Sequence, residues 1–158
     1  MLVISDTSPV RALHYIEALQ VLGELYGRVL VPSAVAAECV RGTRYLPAVP
    51  VHQYPFIETV DPSLLLTFDP ALDAGEVAAI SLAVELRADR LLIDEAQGRH
   101  AAAKLGLEIV GVLGVLLEAK GRALIPAVQP LIARLRSEFR FFVSDAVVGK
   151  VLRTAGEA

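Results

Sequence analysis

Short apolar runs that each give way to a helix start are what most constrain this chain. LVIS at 2–5, RVLV at 28–31, RLLI at 90–93 and EIV at 108–110 have strand length, and each is followed within a few residues by apolar residues at helical spacing. Strands separated by helices specify a parallel sheet with helices on both faces, because right-handed crossovers place them there. With 158 residues, 54% of them hydrophobic, the chain can bury one such core and is too short for two ordinary domains, so residues 1–158 read as a single α/β domain. The longest apolar run, Ile109 to Leu117, is about half a membrane span, and the opening MLVISD lacks the basic segment of an export signal. The expected setting is soluble, cytoplasmic and free of membrane.

Along the chain, Ser8 and Pro9 read as the cap and first turn of a helix that runs with a break to Gly27, and Ser33 reads as the cap of a short helix ended by Gly42. Residues 43–55, with three prolines, read as an exposed connection, 56–60 as a strand and 62–66 as a helical turn. Asp73 and Glu76 have capping-box spacing ahead of an apolar helix reaching Leu86. Helices are expected over 97–105, 112–120, 125–136 and 144–155, the last two flanking a strand-like aromatic stretch, 139–143.

In a parallel sheet the ligand site lies outside the carboxyl ends of the strands. Asp6 and Asp94 each follow directly on an apolar strand, which places both on that edge. Glu38 lies within the apolar helix VAAECV, and Glu76 shares a helical stripe with Ile80 and Ala83. Two like charges about 4 Å apart repel by roughly 4 kcal/mol at an effective dielectric of 20, so such a cluster calls for a cation or a proton. Mg²⁺ or Mn²⁺ suits carboxylate and water ligands, and metal-assisted phosphodiester hydrolysis is the chemistry expected of them. Plain structural roles compete at each position: Asp6 as a helix cap, Glu38 as a snorkelling surface charge, Glu76 as half of the capping box. Thr7 and Ser8 read first as caps.

Other chemistries find less support. One cysteine, Cys39, and three scattered histidines give neither a disulfide nor a structural zinc site, and the glycine-rich nucleotide-binding signatures are absent. A net charge of −3 leaves nucleic-acid contact to local patches. Arg99, just past Asp94, could reach a phosphate, and Arg134, Arg136, Arg140, Lys150 and Arg153 could track an RNA backbone or simply face solvent. An aspartyl phosphatase using Asp6 would want a second aspartate where Ser8 stands. The apolar balance also makes a partner surface plausible, expected first along Leu13 to Leu25.

VISDTSP at the start, VPSAVAAE, LDAGEVAAISLA and LLIDEAQGRHAAAKLGLEIVGVLGVLLEAK, in that order, resemble PIN-domain proteins over nearly the whole chain. The likeness is to the small prokaryotic VapC-like branch with an LLID-[DE]-x-x-GR segment and a following glycine turn, here GVLG. The resemblance implies a three-layer α/β/α domain with a central parallel sheet, binding Mg²⁺ or Mn²⁺ and cleaving RNA. It further implies the toxin of a toxin-antitoxin pair, held by a small antitoxin and commonly a homodimer. Residue by residue, Asp6, Glu38, Glu76 and Asp94 match the family's acids; Arg99 and Ser8, from their own positions in the sequence, are the expected substrate contacts. Many relatives carry aspartate where Glu76 stands. The late motif here runs Ile93, Asp94, Glu95 rather than Thr-x-Asp, which leaves either Asp94 or Glu95 to face the metal. A PIN-fold binding or assembly module without catalysis is the alternative.

Overall fold

The computed structural model describes residues 1–158. Five strands, β1 (Val3–Ser5), β2 (Val29–Val31), β3 (Ile57–Thr59), β4 (Arg90–Leu92) and β5 (Ile109–Val110), form an all-parallel sheet in the order β3-β2-β1-β4-β5. The helices α1 (Thr7–Tyr15), α2 (Val21–Tyr26), α3 (Ser33–Arg41), α4 (Ala74–Glu85), α5 (Ala96–Lys104), α6 (Val112–Gly121), α7 (Gln129–Glu138) and α8 (Asp145–Thr154) flank it as a three-layer α/β/α domain. No helix is long and apolar enough to cross a membrane.

The strand order explains the location of the crevice. From β1 the chain winds outward through β2 to β3, then returns to lay β4 on the other side of β1 before continuing to β5. The winding direction reverses between β1 and β4, and the connections leaving their carboxyl ends diverge there. Ser5 pairs with Leu92, and the Asp6 N–H donates to the Leu92 carbonyl at 2.9 Å, so the ladder continues one residue beyond the strand.

Both faces of the sheet are covered. Successive strand residues point to opposite faces, yet Val3 and Ile4 of β1 and Leu91 and Leu92 of β4 are all fully buried. This double burial produces the near-continuous apolar runs of the sequence.

Several local expectations are corrected. Helix α1 begins two residues early, with Asp6 rather than Ser8 at the N-cap position, Ser8 inside the first turn and Pro9 at the third helical residue. Proline is tolerated there because the first-turn N–H groups have no intrahelical partner. The break lies at Glu17, in left-handed conformation at φ 58°. Pro32, not Ser33, is the N-cap residue of α3, and the Ser33 N–H and hydroxyl both donate to Asp61, at 2.8 and 2.5 Å. The connection 43–55 is anchored rather than wholly exposed, since Val49 and Val51 are buried. Residues 62–66 form no helical turn, α7 starts at Gln129 rather than near 125, and 139–143 adds no strand to the sheet. Leu13, Ile16, Leu19 and Leu22, expected to offer a partner surface, are instead buried in the chain's own core.

If both faces are truly core, Leu91→Ala and Leu92→Ala should each lower unfolding free energy by about 2–5 kcal/mol in urea titrations. A one-faced sheet would leave one of the two near neutral.

Candidate active site

Asp6 occupies the N-cap position of α1 in extended conformation (φ −78°, ψ 175°), but its side chain makes no capping hydrogen bond. Its Oδ1 is buried with no hydrogen-bond partner. The residue is 3% exposed, and burial pushes its carboxyl up to about 7, with Asp73, Glu38 and Glu95 adding negative charge and the Thr7 N–H opposing. A carboxylate in this setting is desolvated without the capping bond that would explain it as a purely structural group.

Glu38, half-buried on α3, comes to the same place because α3 packs against both α1 and α4. The Thr7 hydroxyl donates to Glu38 Oε2 at 2.5 Å, and Arg11 Nη2 donates to the Glu38 carbonyl at 2.6 Å. Helix α4 can approach because Gly75 lies in its first turn; a Cβ there would sit 2.8 and 2.9 Å from the Glu38 carboxylate oxygens.

Glu76 serves two roles at once. Its N–H donates to Asp73 Oδ1 at 2.8 Å and its Oε1 accepts from the Asp73 N–H at 3.3 Å, completing the expected capping box. Its Oε2 is buried and has no hydrogen-bond partner. Burial, the side-chain contact with Asp73 and the charges of Asp73 and Asp6 push its carboxyl up to about 7. Gly98 of α5 packs against Oε2 so closely that a Cβ would collide with it.

Asp94 is turned differently. Its carboxylate accepts the Val112 N–H at 3.2–3.3 Å, capping α6 where Gly111 has no side chain to do so. A Cβ at Gly111 would lie 2.5 Å from Asp94 Oδ1 and 2.8 Å from Arg99 Nη1. Burial pushes Asp94 up to about 6, while the Val112 N–H and the Arg99 charge pull it down. Arg99 donates from Nη1 to the Ile93 carbonyl at 2.9 Å. Glu95, the exposed N-cap residue of α5, makes no side-chain capping bond, and its charge is felt at both Asp6 and Asp94.

The crevice thus brings Asp6, Glu38, Asp73 and Glu76 together, with Glu95 at its rim and Asp94 one step toward α6. Ser8 and Arg11 line the groove beside Asp94 and Glu95. No three His, Cys, Asp or Glu side chains converge tightly enough to form a ready-made metal cage. The histidines stay outside: His14 meets Tyr54 edge to face, and His52 and His100 are exposed. Cys39 is buried, with its thiol pushed up to about 12, which leaves it unionised. Asp73, Thr7 and Arg11 are contributors that their sequence positions disguise as cap, cap and surface charge. The glycine inside the first turn of α4 is the signal that something packs closely there.

A PIN-domain family model (DUF3368) matches residues 2–157. The chain belongs to the PIN-domain family. PIN domains are typically nucleases and generally use divalent metals. Among solved structures, a PilT N-terminus domain protein, SSO1118, from the hyperthermophilic archaeon Sulfolobus solfataricus P2 is similar with a TM-score of 0.54. At 15% identity over 75% of this chain and 93% of that one, the likeness shows the fold alone. No curated protein matches the chain. The expected three-layer architecture and family membership therefore both hold, with Asp6 and Asp94 following the ends of β1 and β4 and with Glu38 and Glu76 on helices α3 and α4 of this PIN domain.

Raised carboxyl values carry a sign for stability. An unfolded Asp6 releases its proton near 3.8, whereas the folded one holds it up to about 7, so between these values the native state binds more protons. Stability of the metal-free PIN domain should fall as pH rises through that window. In chelator at pH 8, Asp6→Asn should raise unfolding free energy by roughly 1–3 kcal/mol, checked by urea titration at pH 5 and 8. A clear loss at pH 8 would mean the carboxylate is held by structural bonds.

Proposed function

We propose that this PIN domain is a metal-dependent endoribonuclease that hydrolyses RNA phosphodiesters with the acids of the β1–β4 crevice. The observation that carries the reading is the pair of buried, unpartnered carboxylate oxygens, Asp6 Oδ1 and Glu76 Oε2, in the field of Glu38, Asp73 and Glu95. Orphaned, desolvated carboxylate oxygens suit a hard cation, which takes oxygen ligands and removes the repulsion. Mg²⁺ commonly binds through one or two carboxylates and keeps its remaining waters, so a preformed three-carboxylate cage is not required. Asp6 and Glu76 would hold the ion, with Glu38 beside them and Glu95 or Asp94 completing the rim. When bound, Mg²⁺ or Mn²⁺ would supply a water of lowered pKa and charge to offset that developing on phosphate.

The chain's own residues set the rest. The Thr7 hydroxyl fixes the orientation of Glu38, and the Asp73 N–H fixes that of Glu76, so neither carboxylate is free to swing out of the crevice. Arg99 and Ser8 line the grooves on either side of Asp94 and would meet a phosphate entering or leaving the crevice. Arg11 and Arg99, neither in an ion pair, reduce the repulsion between an acidic crevice and an anionic strand. The VapC-like motifs further support the toxin role, with a small antitoxin and a homodimer as partners and the cytoplasm as setting. Exposed Leu64 and Leu65, on the connection ahead of α4, offer apolar surface for such a partner.

One observation favours the second reading, a binding or assembly module without catalysis. Asp94 is spent on the Val112 N–H and lies against Arg99, which lowers its value as a ligand.

Cleavage of a mixed, end-labelled RNA by pure protein in Mn²⁺, Mg²⁺ or EDTA separates the two. The nuclease reading predicts cutting that needs metal and falls at least about 100-fold in Asp6→Asn, the scale of losing one element of charge stabilisation. Equal cutting by a rigorously purified Asp6→Asn protein would sink the site assignment.

A further inference from the structure

The stretch Phe139–Val143, between α7 and α8, has strand composition but takes no place in the sheet. It is nevertheless held in shape. The Phe141 N–H donates to the Leu135 carbonyl at 3.0 Å, and Arg136 Nη2 donates to the Val143 carbonyl at 3.0 Å while pairing with Asp145 at 2.7 Å. Arg140 takes the left-handed conformation, φ 57°, which turns the chain between two aromatic residues. Phe141 packs against the core, and Phe142 is left 93% exposed, the most exposed large apolar side chain in the protein.

Its neighbourhood gives that exposure meaning, since a lone surface aromatic would need no explanation. Two grooves, of about 430 and 560 Å³, open on either side of Asp94, and Phe141 and Phe142 line both. The first also holds Arg11, Glu95 and Arg140; the second holds Arg99, together with Arg90, whose charge is taken up by Glu108 and Glu118. Arg140 forms no ion pair. An open aromatic face, guanidinium groups that form no ion pair, and Asp94 and Glu95 at the edge of the acidic crevice therefore line adjoining grooves.

We propose that Phe142 is a stacking platform for an unpaired nucleobase of RNA, with Arg140 and Arg99 on the flanking phosphates, so that the neighbouring phosphodiester is presented to the acidic crevice. The proposal rests on the ribonuclease reading and names what grips its substrate. An acidic crevice in a chain of net charge −3 cannot rely on general attraction to hold a polyanion. Base stacking on an aromatic ring supplies a grip that does not depend on charge and tolerates any base. It also selects unpaired strands, because bases in a duplex are already stacked on each other. Phe142 is a positioning residue and takes no part in bond making or breaking.

The test compares wild type, Phe142→Ala and Phe142→Tyr on a single-stranded RNA carrying 2-aminopurine, with cleavage read in Mn²⁺ and fluorescence and anisotropy read in EDTA. Because the ring is exposed, neither variant should disturb folding. Losing one stacked base should raise KM and Kd about 5- to 100-fold in Phe142→Ala with kcat unchanged. It should also abolish 2-aminopurine quenching, and Phe142→Tyr should restore both. Unchanged KM and quenching in Phe142→Ala, with wild type still cutting, would overturn the platform and leave the nuclease standing. Quenching that depends on Phe142 without any cutting would uphold the platform and remove the nuclease. Neither binding nor cutting by wild type would overturn both. Self-association lost in Phe142→Ala, with RNA parameters unchanged, would overturn the platform in favour of an interface between copies.

Discussion

The pairing of β1 with β4 is the constraint on which the rest of this molecule depends. It sets the switch in winding direction, and it carries the ladder one residue past the strand, through the Asp6 N–H to the Leu92 carbonyl. That single bond holds Asp6 extended at the mouth of the sheet. With its backbone fixed and its side chain turned into protein, the carboxylate cannot reach water freely, and its charge becomes costly.

Around that buried charge the fold spends its small residues. Gly75, Gly98 and Gly111 are each placed where a Cβ would strike a carboxylate, of Glu38, Glu76 and Asp94 respectively. Helices α4 and α5 and the start of α6 therefore close onto the acids rather than standing off from them. Each of these carboxylates also has a donor close by in space: the Thr7 hydroxyl for Glu38, the Asp73 N–H for Glu76 and the Val112 N–H for Asp94. Negative charge is concentrated and oriented at the expense of the metal-free protein's own stability, the pattern expected where function outweighs folding.

What the sequence makes legible is whatever is decided locally. The strands and the Asp73–Glu76 capping box follow from patterns only a few residues long. Asp6 and Asp94 are legible as site candidates because strand ends in a parallel sheet share one edge. The failures come from contacts across the fold. Ser33 looks like a cap but yields to Pro32, because Asp61, from a later connection, takes the N–H and hydroxyl of Ser33. The start of α7 is likewise held by Glu157, whose carboxylate accepts the Val128 and Gln129 N–H groups at 2.7 and 2.9 Å. The stretch 139–143 has strand residues but no sheet edge to join. Asp94 and Glu95 are adjacent in sequence, and only the position of α6 separates them, by drawing Asp94 onto Val112 and leaving Glu95 exposed.

On the nuclease reading, the buried, unpartnered acids of the β1–β4 crevice await a cation. Isothermal titration of metal-free protein with Mn²⁺ at pH 6 and pH 8, beside Asp6→Asn, tests it most directly. Carboxyls raised to about 7 must give up protons to bind metal, so binding should be tighter at pH 8 and release protons, and both effects should be lost in the variant. No heat from wild type at millimolar Mn²⁺ at either pH, or binding that Asp6→Asn leaves intact, would contradict it.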